Sequence, residues 1–328
     1  MEYRQLGKTG IAVSAISLGT WQVGGKWGDE FNDANADRIL NDAIDSGINF
    51  IDTADVYSDG RSEKAVGRIV KSRSERVFVA TKCGRQLNPH ISQSYQPAVL
   101  RTFVENSLRN MGLETLDLIQ LHCPPTDVYY RPEIFELFSQ LKQEGKIQHL
   151  GVSVERVEEA LKAIEFEHVT TVQIIFNAFR QRPAELFFRE AKAKNIGVIV
   201  RVPLASGLLT GKFSRESTFN QGDHRFFNRN GEAFDKGETF SGIDFATGLA
   251  AVESLKAIFP ANTNLAAVAL QWILQFDAVS CIIPGASRPE QLKSNLAALT
   301  LPPLSQTQID SINEVYKRFI KDAVHQLW

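Results

Sequence analysis

Short apolar runs rich in β-branched residues alternate with segments of helical periodicity along the chain, and this alternation constrains the fold most strongly. In chain order the runs are AISLGT, INFIDT, RVFVATKC, DLIQLHC, HLGVSV, TVQIIFN, GVIVRVPL and SCIIPGA. Strands that alternate with helices predict βα units around a parallel sheet rather than a helix bundle or a β-sandwich. A hairpin with the turn GKTG is expected before the first run.

The segments between the runs have the apolar spacing of amphipathic helices, and several end at a glycine, as helices often do. Three such segments are 33–46 before Gly47, 97–111 before Gly112 and 132–144 before Gly145. Helices with one apolar face would cover the outside of a parallel sheet.

Eight βα units can form either an open doubly wound sheet or a closed barrel. The open sheet usually carries a GxGxxG motif after its first strand, and this sequence contains no such motif. We therefore predict an α/β fold of the (β/α)8 TIM-barrel type, with its site at the C-terminal ends of the strands.

The length of 328 residues would suggest two domains at about 150 residues each, but one barrel with extra loops also fills it. We expect a single domain over residues 1–328. Residues 207–243 are too long for an ordinary loop after the seventh strand and are predicted to form a lid or a mobile insertion.

The composition argues against several classes of partner. With 36 basic and 38 acidic residues, the formal net charge of −2 provides no positive field for nucleic acid or anionic lipid. The start MEYRQLGKTG lacks the apolar core of a signal peptide, and no run approaches the roughly 20 apolar residues that a bilayer needs. We expect a cytoplasmic protein.

Cys83, Cys123 and Cys281 are predicted to be free thiols, and the six dispersed histidines indicate no metal site.

Four chemically complementary residues stand at the ends of three successive runs: Asp52, Tyr57, Lys82 and His122. A free phenol has a pKa of about 10, and a cation within about 4–6 Å would lower it. Lys82 would supply that cation, Asp52 would keep Lys82 ionised, and His122 would donate a hydrogen bond to a substrate oxygen. Each residue alone could be a loop cap, a rim residue or a core histidine, but together they predict a tuned proton donor.

These segments resemble the signature of the aldo-keto reductases. FIDTADVYSDGRSE contains Asp52 and Tyr57, VATKCG contains Lys82, and LIQLHCP contains His122, in the order of that family's catalytic tetrad. The similarity continues through SLGTWQVGG, GVS, QIIFN, PLASGLLTGK and IIPGASRPEQLKSN. The resemblance implies an NADPH-dependent oxidoreductase that reduces aldehydes or ketones to alcohols, with Tyr57 as the general acid and a small-molecule carbonyl compound as substrate.

The resemblance also implies an NADPH/NADP+ site across the barrel mouth. Residues near the nicotinamide and its carboxamide would be Gly19, Thr20, Trp21, Asp52, Ser153 and Gln173. The pyrophosphate loop would be Leu204, Ser206, Gly207, Leu208, Gly211 and Lys212, and the adenosine site Gly285, Ala286, Ser287, Arg288, Gln291 and Asn295. Arg288 is expected to bind the 2′-phosphate, because a guanidinium binds phosphate through two hydrogen bonds. GLLTGK is not a P-loop, since three rather than four residues separate its glycines.

Three positions depart from the family's pattern. Val154 stands where an asparagine commonly follows the serine of GVS, and Ser58 stands where a glycine commonly follows Tyr57. Arg201 takes the place of an aromatic residue that often stacks under the nicotinamide. A guanidinium can stack on the ring, but its charge would disfavour the oxidised, cationic form. We hypothesise that Arg201 favours NADPH over NADP+ and hence reduction.

The substrate pocket and the direction of reaction stay open at this point. Candidate pocket residues are Trp21, Trp27, Tyr57 and His122, whereas Phe176, Phe226 and Phe227 could equally be ordinary packing. An apolar pocket would favour aromatic or medium-chain carbonyls. One alternative function is the reverse reaction, as an NADP-dependent aldose or alcohol dehydrogenase. Another is a non-catalytic NADPH-sensing subunit similar to potassium-channel β subunits. The sequence indicates no oligomeric state, and a monomer is compatible with it.

Overall fold

The computed structural model describes residues 1–26 and 28–328. Its strands are β1 Tyr3–Gln5, β2 Ala12–Ser14, β3 Leu18–Gly19, β4 Phe50–Asp52, β5 Phe78–Cys83, β6 Leu116–His122, β7 Ile147–Ser153, β8 Val169–Ile175, β9 Gly197–Arg201 and β10 Val279–Ile282. Its α-helices are α1 Asp33–Asp45, α2 Arg61–Ser72, α3 Pro97–Met111, α4 Pro132–Gln143, α5 Val157–Ala163, α6 Phe187–Ala193, α7 His224–Phe227, α8 Phe245–Lys256, α9 Leu265–Leu274, α10 Pro289–Leu296, α11 Gln306–Phe319 and α12 Lys321–Val324.

Strands β3 to β10 form one parallel eight-stranded sheet in sequential order. Parallel bridges from Ile16 to Ile282 and from Gly19 to Gly285 connect its two ends, so the sheet closes on itself. The predicted (β/α)8 barrel is confirmed, and each of the eight apolar runs contains a strand. In the first run, AISLGT, only Leu18–Gly19 pairs as a strand, so this apolar run is longer than the strand that it contains.

The helices around the barrel bury the apolar faces that their spacing predicts. Helix α1 begins where the Asn32 side chain accepts a hydrogen bond from the backbone N–H of Asn35, which satisfies a backbone donor that has no partner within the helix. Helix α3 buries Leu100 and Val104 and ends at Gly112, whose φ of 62° lies in the left-handed region. Glycine adopts this conformation at little cost.

The predicted N-terminal hairpin covers the end of the barrel opposite the predicted site. Strands β1 and β2 pair in antiparallel fashion, and Leu6 packs at the first residue of β9, Gly197. A Cβ on Gly197 would lie 2.8 Å from Cδ1 of Leu6. The close approach therefore requires glycine at this position, and the hairpin seals the barrel floor.

The lid, residues 207–243, is structured and lies at the C-terminal ends of the strands. It contains α7 and the short 3₁₀ helices Lys236–Glu238 and Phe240–Gly242. The amide of Asn177, just after β8, donates to the Ser241 hydroxyl at 2.9 Å. This position over the barrel mouth is the one that a lid requires.

Two further expectations concern the cysteines and the membrane. All three cysteines are free thiols and are buried, as predicted. Within residues 1–26 and 28–328, no helix has both the length and the apolar character needed to cross a membrane.

Candidate active site

A cavity of about 400 Å³ lies between the C-terminal ends of the barrel strands and the lid. Asp52, Tyr57 and His122 line it, and Lys82 lies directly behind Tyr57. The structure therefore brings the four predicted catalytic residues together at the end of the barrel where they were expected.

Lys82 links the two sides of this group. It is 1% exposed and donates hydrogen bonds to Oδ1 of Asp52, to the backbone oxygen of Thr53 at 2.8 Å and to the phenolic oxygen of Tyr57 at 3.3 Å. Burial alone would lower the pKa of Lys82, but Asp52 and Tyr57 raise it above its ordinary value. The ammonium therefore stays charged beside the phenol.

Two glutamine side chains hold Asp52 in place. Nε2 of Gln120 lies 3.0 Å and Nε2 of Gln173 lies 2.8 Å from Oδ2 of Asp52. Gln173 was predicted only as a coenzyme contact, and Gln120 was missed. Gln120 could have been found from the sequence, because it precedes His122 by two positions on β6. Alternate residues of a strand share a face, so Gln120 and His122 point to the same side of the sheet.

Tyr57 stands on a loop whose backbone is unusual. Ser58 and Asp59 have φ values of 48° and 54°, and Gly60 has 75°. The common glycine at position 58 would suit this left-handed conformation, which costs other residues roughly 1–2 kcal/mol. The serine at this position therefore affects the backbone of the loop rather than the chemistry of the phenol.

The pKa values of Tyr57 and His122 move in opposite directions. Burial raises the pKa of Tyr57; Lys82 lowers it in part, and the pKa ends above its ordinary value. The expected lowering was wrong because desolvation of the phenolate exceeds the attraction of one ammonium. Burial, together with Arg85 and Lys82, holds the pKa of His122 well below its ordinary value. At neutral pH the phenol is protonated and the imidazole is uncharged.

Most of the predicted coenzyme residues line the same cavity, namely Gly19, Thr20, Trp21, Asp52, Gln173, Arg201, Leu204, Ser206, Gly207, Lys212, Gly285, Arg288, Gln291 and Asn295. The remaining ones, Ser153, Leu208, Gly211, Ala286 and Ser287, are not part of its lining. Ser153 is buried, and its hydroxyl lies 3.5 Å from Sγ of Cys123. Its contact with a coenzyme stays a prediction.

The cavity offers several groups that suit phosphate. Ser206 and Gly207 have φ values of 55° and 98°, which turn the backbone sharply at the cavity wall, and the N–H of Gly207 donates to the backbone oxygen of Leu204 at 2.9 Å. Lys212 and Arg288 are exposed, and within the described part of the chain neither side chain forms a salt bridge. Arg225 of the lid, which the sequence analysis missed, also lines the cavity. These residues fit an extended dinucleotide.

Arg201 is part of a cluster of two arginines and two glutamates, in which Arg201 and Glu238 are buried and Arg85 and Glu155 are half-buried. Its guanidinium lies 2.8 Å from Oε2 of Glu155 and 3.5 Å from Oε2 of Glu238, and Arg85 lies 2.9 Å from Oε1 of Glu238. We refer to Arg85, Glu155, Arg201 and Glu238 as the charge cluster.

The two carboxylates alter the hypothesis about Arg201. They offset the charge of Arg201, so its effect on an oxidised nicotinamide should be weaker than that of an isolated arginine.

The potential metal-ligand atoms of Cys123, Glu155 and Glu238 also lie within 4.8 Å of one another, but Arg85 and Arg201 already pair with these carboxylates. The backbone oxygen of Val154 accepts a hydrogen bond from Arg201 at 3.0 Å.

The wall near Tyr57 is aromatic on one side and charged on the other. The Trp21 ring stacks on Tyr57 and on His224, with centroids 6.0 and 5.1 Å apart. Arg201 and Glu238 contribute charged atoms to the lining, so the pocket is not apolar throughout. Trp27 lies outside the described residues. Phe176 stacks on Trp272 in the core, and Phe226 is exposed.

Comparison with known proteins assigns the family. The model of the Aldo/keto reductase family matches residues 15–317, so the chain belongs to this family of oxidoreductases, which use nicotinamide cofactors. Aldo-keto reductase YhdN of Bacillus subtilis (strain 168) is 31% identical, with 99% of this chain and 96% of that protein covered. The NADH-specific methylglyoxal reductase of Escherichia coli (strain K12) is 30% identical, with 90% and 93% covered.

The fold is similar to that of a solved member of this class. The structure of the glycerol dehydrogenase AKR11B4 from Gluconobacter oxydans has a TM-score of 0.76 at 28% identity, with 97% of this chain and 96% of that chain covered. The protein is thus a nicotinamide-dependent oxidoreductase, and these relatives give no support to the non-catalytic alternative.

Proposed function

We propose that this protein reduces aldehydes or ketones to alcohols with NADPH and that Tyr57 is the general acid. The observation that carries the proposal is the hydrogen-bonded series from Tyr57 through Lys82 to Asp52. In it the phenolic oxygen lies 3.3 Å from a buried ammonium. A phenol at the wall of a cavity, next to a fixed cation, can release a proton and remain as a stabilised phenolate.

Proton transfer follows from the protonation state of Tyr57. Its pKa lies above the ordinary value because of burial, so the group carries its proton at neutral pH, as a general acid must. A nicotinamide coenzyme held in the cavity would supply the hydride for the carbonyl carbon. While negative charge develops on the carbonyl oxygen, Tyr57 donates its proton to that oxygen, and Lys82 stabilises the phenolate that remains.

His122 and Asp52 support this step in different ways. A neutral imidazole carries one N–H donor, and the lowered pKa of His122 keeps it neutral, so it can donate to the carbonyl oxygen without competing for the proton. Asp52 keeps Lys82 charged and oriented, and Gln120 and Gln173 keep Asp52 in place.

The preference for NADPH rests on Arg288. Its exposed side chain lines the cavity next to Gln291 and Asn295, at the end where the family binds adenosine. A guanidinium there would bind a 2′-phosphate through two charge-assisted hydrogen bonds. The methylglyoxal reductase relative is NADH-specific by name, so the coenzyme has to be measured directly.

A second candidate is oxidation of an alcohol or aldose by the same residues with NADP+. The likeness to a glycerol dehydrogenase favours it, and a catalyst accelerates both directions. In that direction Tyr57 would have to be a phenolate before it could accept the proton, and its raised pKa keeps the phenolate scarce near neutrality.

Initial rates decide among these possibilities. NADPH and NADH are each assayed with a panel of small aldehydes and ketones, and NADP+ and NAD+ with glycerol, aldoses and simple alcohols. We expect kcat/KM with NADPH plus a carbonyl substrate to be the highest at pH 7. No turnover with any carbonyl compound, or a clear preference for NADH, would contradict the proposal.

A further inference from the structure

Trp328 is a buried aromatic residue that contacts the lid. It is 5% exposed, and its indole N–H donates to Oδ1 of Asp235 at 2.7 Å. The guanidinium of Arg180 also lies over the indole ring, with 4.2 Å between Cζ and the ring centroid. Trp328 therefore fills the space between the lid and a residue that follows β8.

The lid is shaped to accept this indole. A Cβ on Gly242 would lie 2.4 Å from the Trp328 ring, and a Cβ on Gly237 would lie 2.9 Å from Cε2 of the ring and 2.4 Å from Nη1 of Arg180. Real Cβ contacts are not this short, so the fit depends on the absence of side chains at both positions. We refer to residues 235–242 as the lid segment.

The lid segment is connected to the site through two sets of contacts. Glu238 belongs to the charge cluster and lines the cavity. The Ser206 hydroxyl donates to the backbone oxygen of Glu238 at 3.0 Å and accepts from the backbone N–H of Phe240 at 3.1 Å. Ser206 is in the predicted pyrophosphate loop, so a movement of the lid segment would move that loop.

Arg180 extends the connection into the barrel. Nη2 of Arg180 donates to the backbone oxygen of Glu155 at 3.0 Å, and Glu155 pairs with Arg201 in the charge cluster. The indole of Trp328 thus packs on Arg180, and Arg180 is bonded to the backbone of Glu155 in the charge cluster. Glu238 of the lid segment belongs to the same cluster.

We propose that Trp328 is a positioning residue that holds the lid segment, and through Ser206 the coenzyme loop, in the arrangement that retains the coenzyme. The claim that Trp328 helps to retain the coenzyme rests on the proposed function. The claim that Trp328 holds the lid segment does not. Trp328 would not touch the reacting atoms. It would act by limiting how often the lid segment opens, and such opening often governs how quickly products leave.

The test compares Trp328→Ala with Leu327→Ala, because Leu327 is the neighbouring residue and is 46% exposed. Hydrogen exchange followed by mass spectrometry reports the opening of residues 235–242, and NADPH fluorescence titration reports the dissociation constant. For Trp328→Ala we expect exchange of the lid segment at least tenfold faster and an NADPH dissociation constant at least fivefold higher. For Leu327→Ala we expect changes below twofold in both.

Gly237→Ala tests the same contact from the lid side, and it decides the question if Trp328→Ala does not fold. The added methyl group should separate the lid from the indole and produce the same two changes. Unchanged lid exchange and unchanged NADPH binding in these variants, even with a lower melting temperature, would overturn the proposal and leave Trp328 a purely structural residue. If the wild-type protein bound no coenzyme, the proposed function would fail, while the exchange data would still decide the role of Trp328.

Discussion

The buried pair of Lys82 and Asp52 can be tested by replacing its members in turn. Lys82→Met removes the ammonium but keeps a long side chain, and it leaves the Asp52 carboxylate, which is 1% exposed, with only its amide partners. Breaking a buried ion pair by removing one member costs about 3–5 kcal/mol, because the other charge stays buried and unpaired. We expect the free energy of unfolding to fall by about 4 kcal/mol.

The double variant Lys82→Met/Asp52→Asn should recover most of this loss. It has no charge at either of these two positions, and replacing both members of such a pair is often close to neutral. We expect it to lie within about 2 kcal/mol of the wild type. Both variants should be inactive, so stability has to be measured separately from turnover.

Urea-induced unfolding followed by circular dichroism provides the measurement. Lys192→Met is the control, since the pair of Lys192 with Asp277 is 53% and 79% exposed and should contribute less than about 1 kcal/mol. If Lys82→Met were no less stable than the double variant, or lost no more than the control, the idea that Lys82 neutralises a buried Asp52 would be wrong.

Three further predictions concern pH and the coenzyme. Because the pKa of Tyr57 is raised, kcat/KM for reduction should stay level until above pH 10, and an alkaline decline centred below pH 9 would contradict this. Burial and Glu63 raise the pKa of Asp55 to about 7, whereas an unfolded Asp ionises near 3.9. The wild type should therefore lose up to about 4 kcal/mol of stability between pH 4 and pH 7, and Asp55→Asn should lose much less, which thermal melts across this range would show. If the difference in melting temperature between the wild type and Asp55→Asn did not change with pH, the prediction for Asp55 would be refuted. Arg288→Leu should raise the NADPH dissociation constant roughly 10- to 100-fold and leave that of NADH unchanged; equal effects on both would remove Arg288 from the 2′-phosphate site.

The barrel and the group around Tyr57 could be predicted because both depend on local patterns. Apolar runs and helical spacing are visible in a single sequence, and a barrel of parallel strands brings all their C-terminal ends to one mouth. Once the strands were assigned, Asp52, Lys82 and His122 had to lie near one another.

The electrostatics of the site could not be predicted in the same way. The shift of Tyr57 depends on how completely the lid and barrel exclude water, and burial turned out to exceed the effect of Lys82. The neighbours of Arg201 depend on which lid residue meets β9, and Glu238 stands 37 positions away in a segment without periodicity. The contact of Trp328 with the lid joins two irregular segments and is equally invisible in the sequence.

The most direct test of the account is the activity of Tyr57→Phe, which removes only the hydroxyl group. We predict that kcat/KM for carbonyl reduction falls by about 10²–10⁴, as expected for loss of a general acid, while the NADPH dissociation constant changes by less than twofold. A Tyr57→Phe enzyme that kept more than a tenth of the wild-type kcat/KM would show that another group donates the proton.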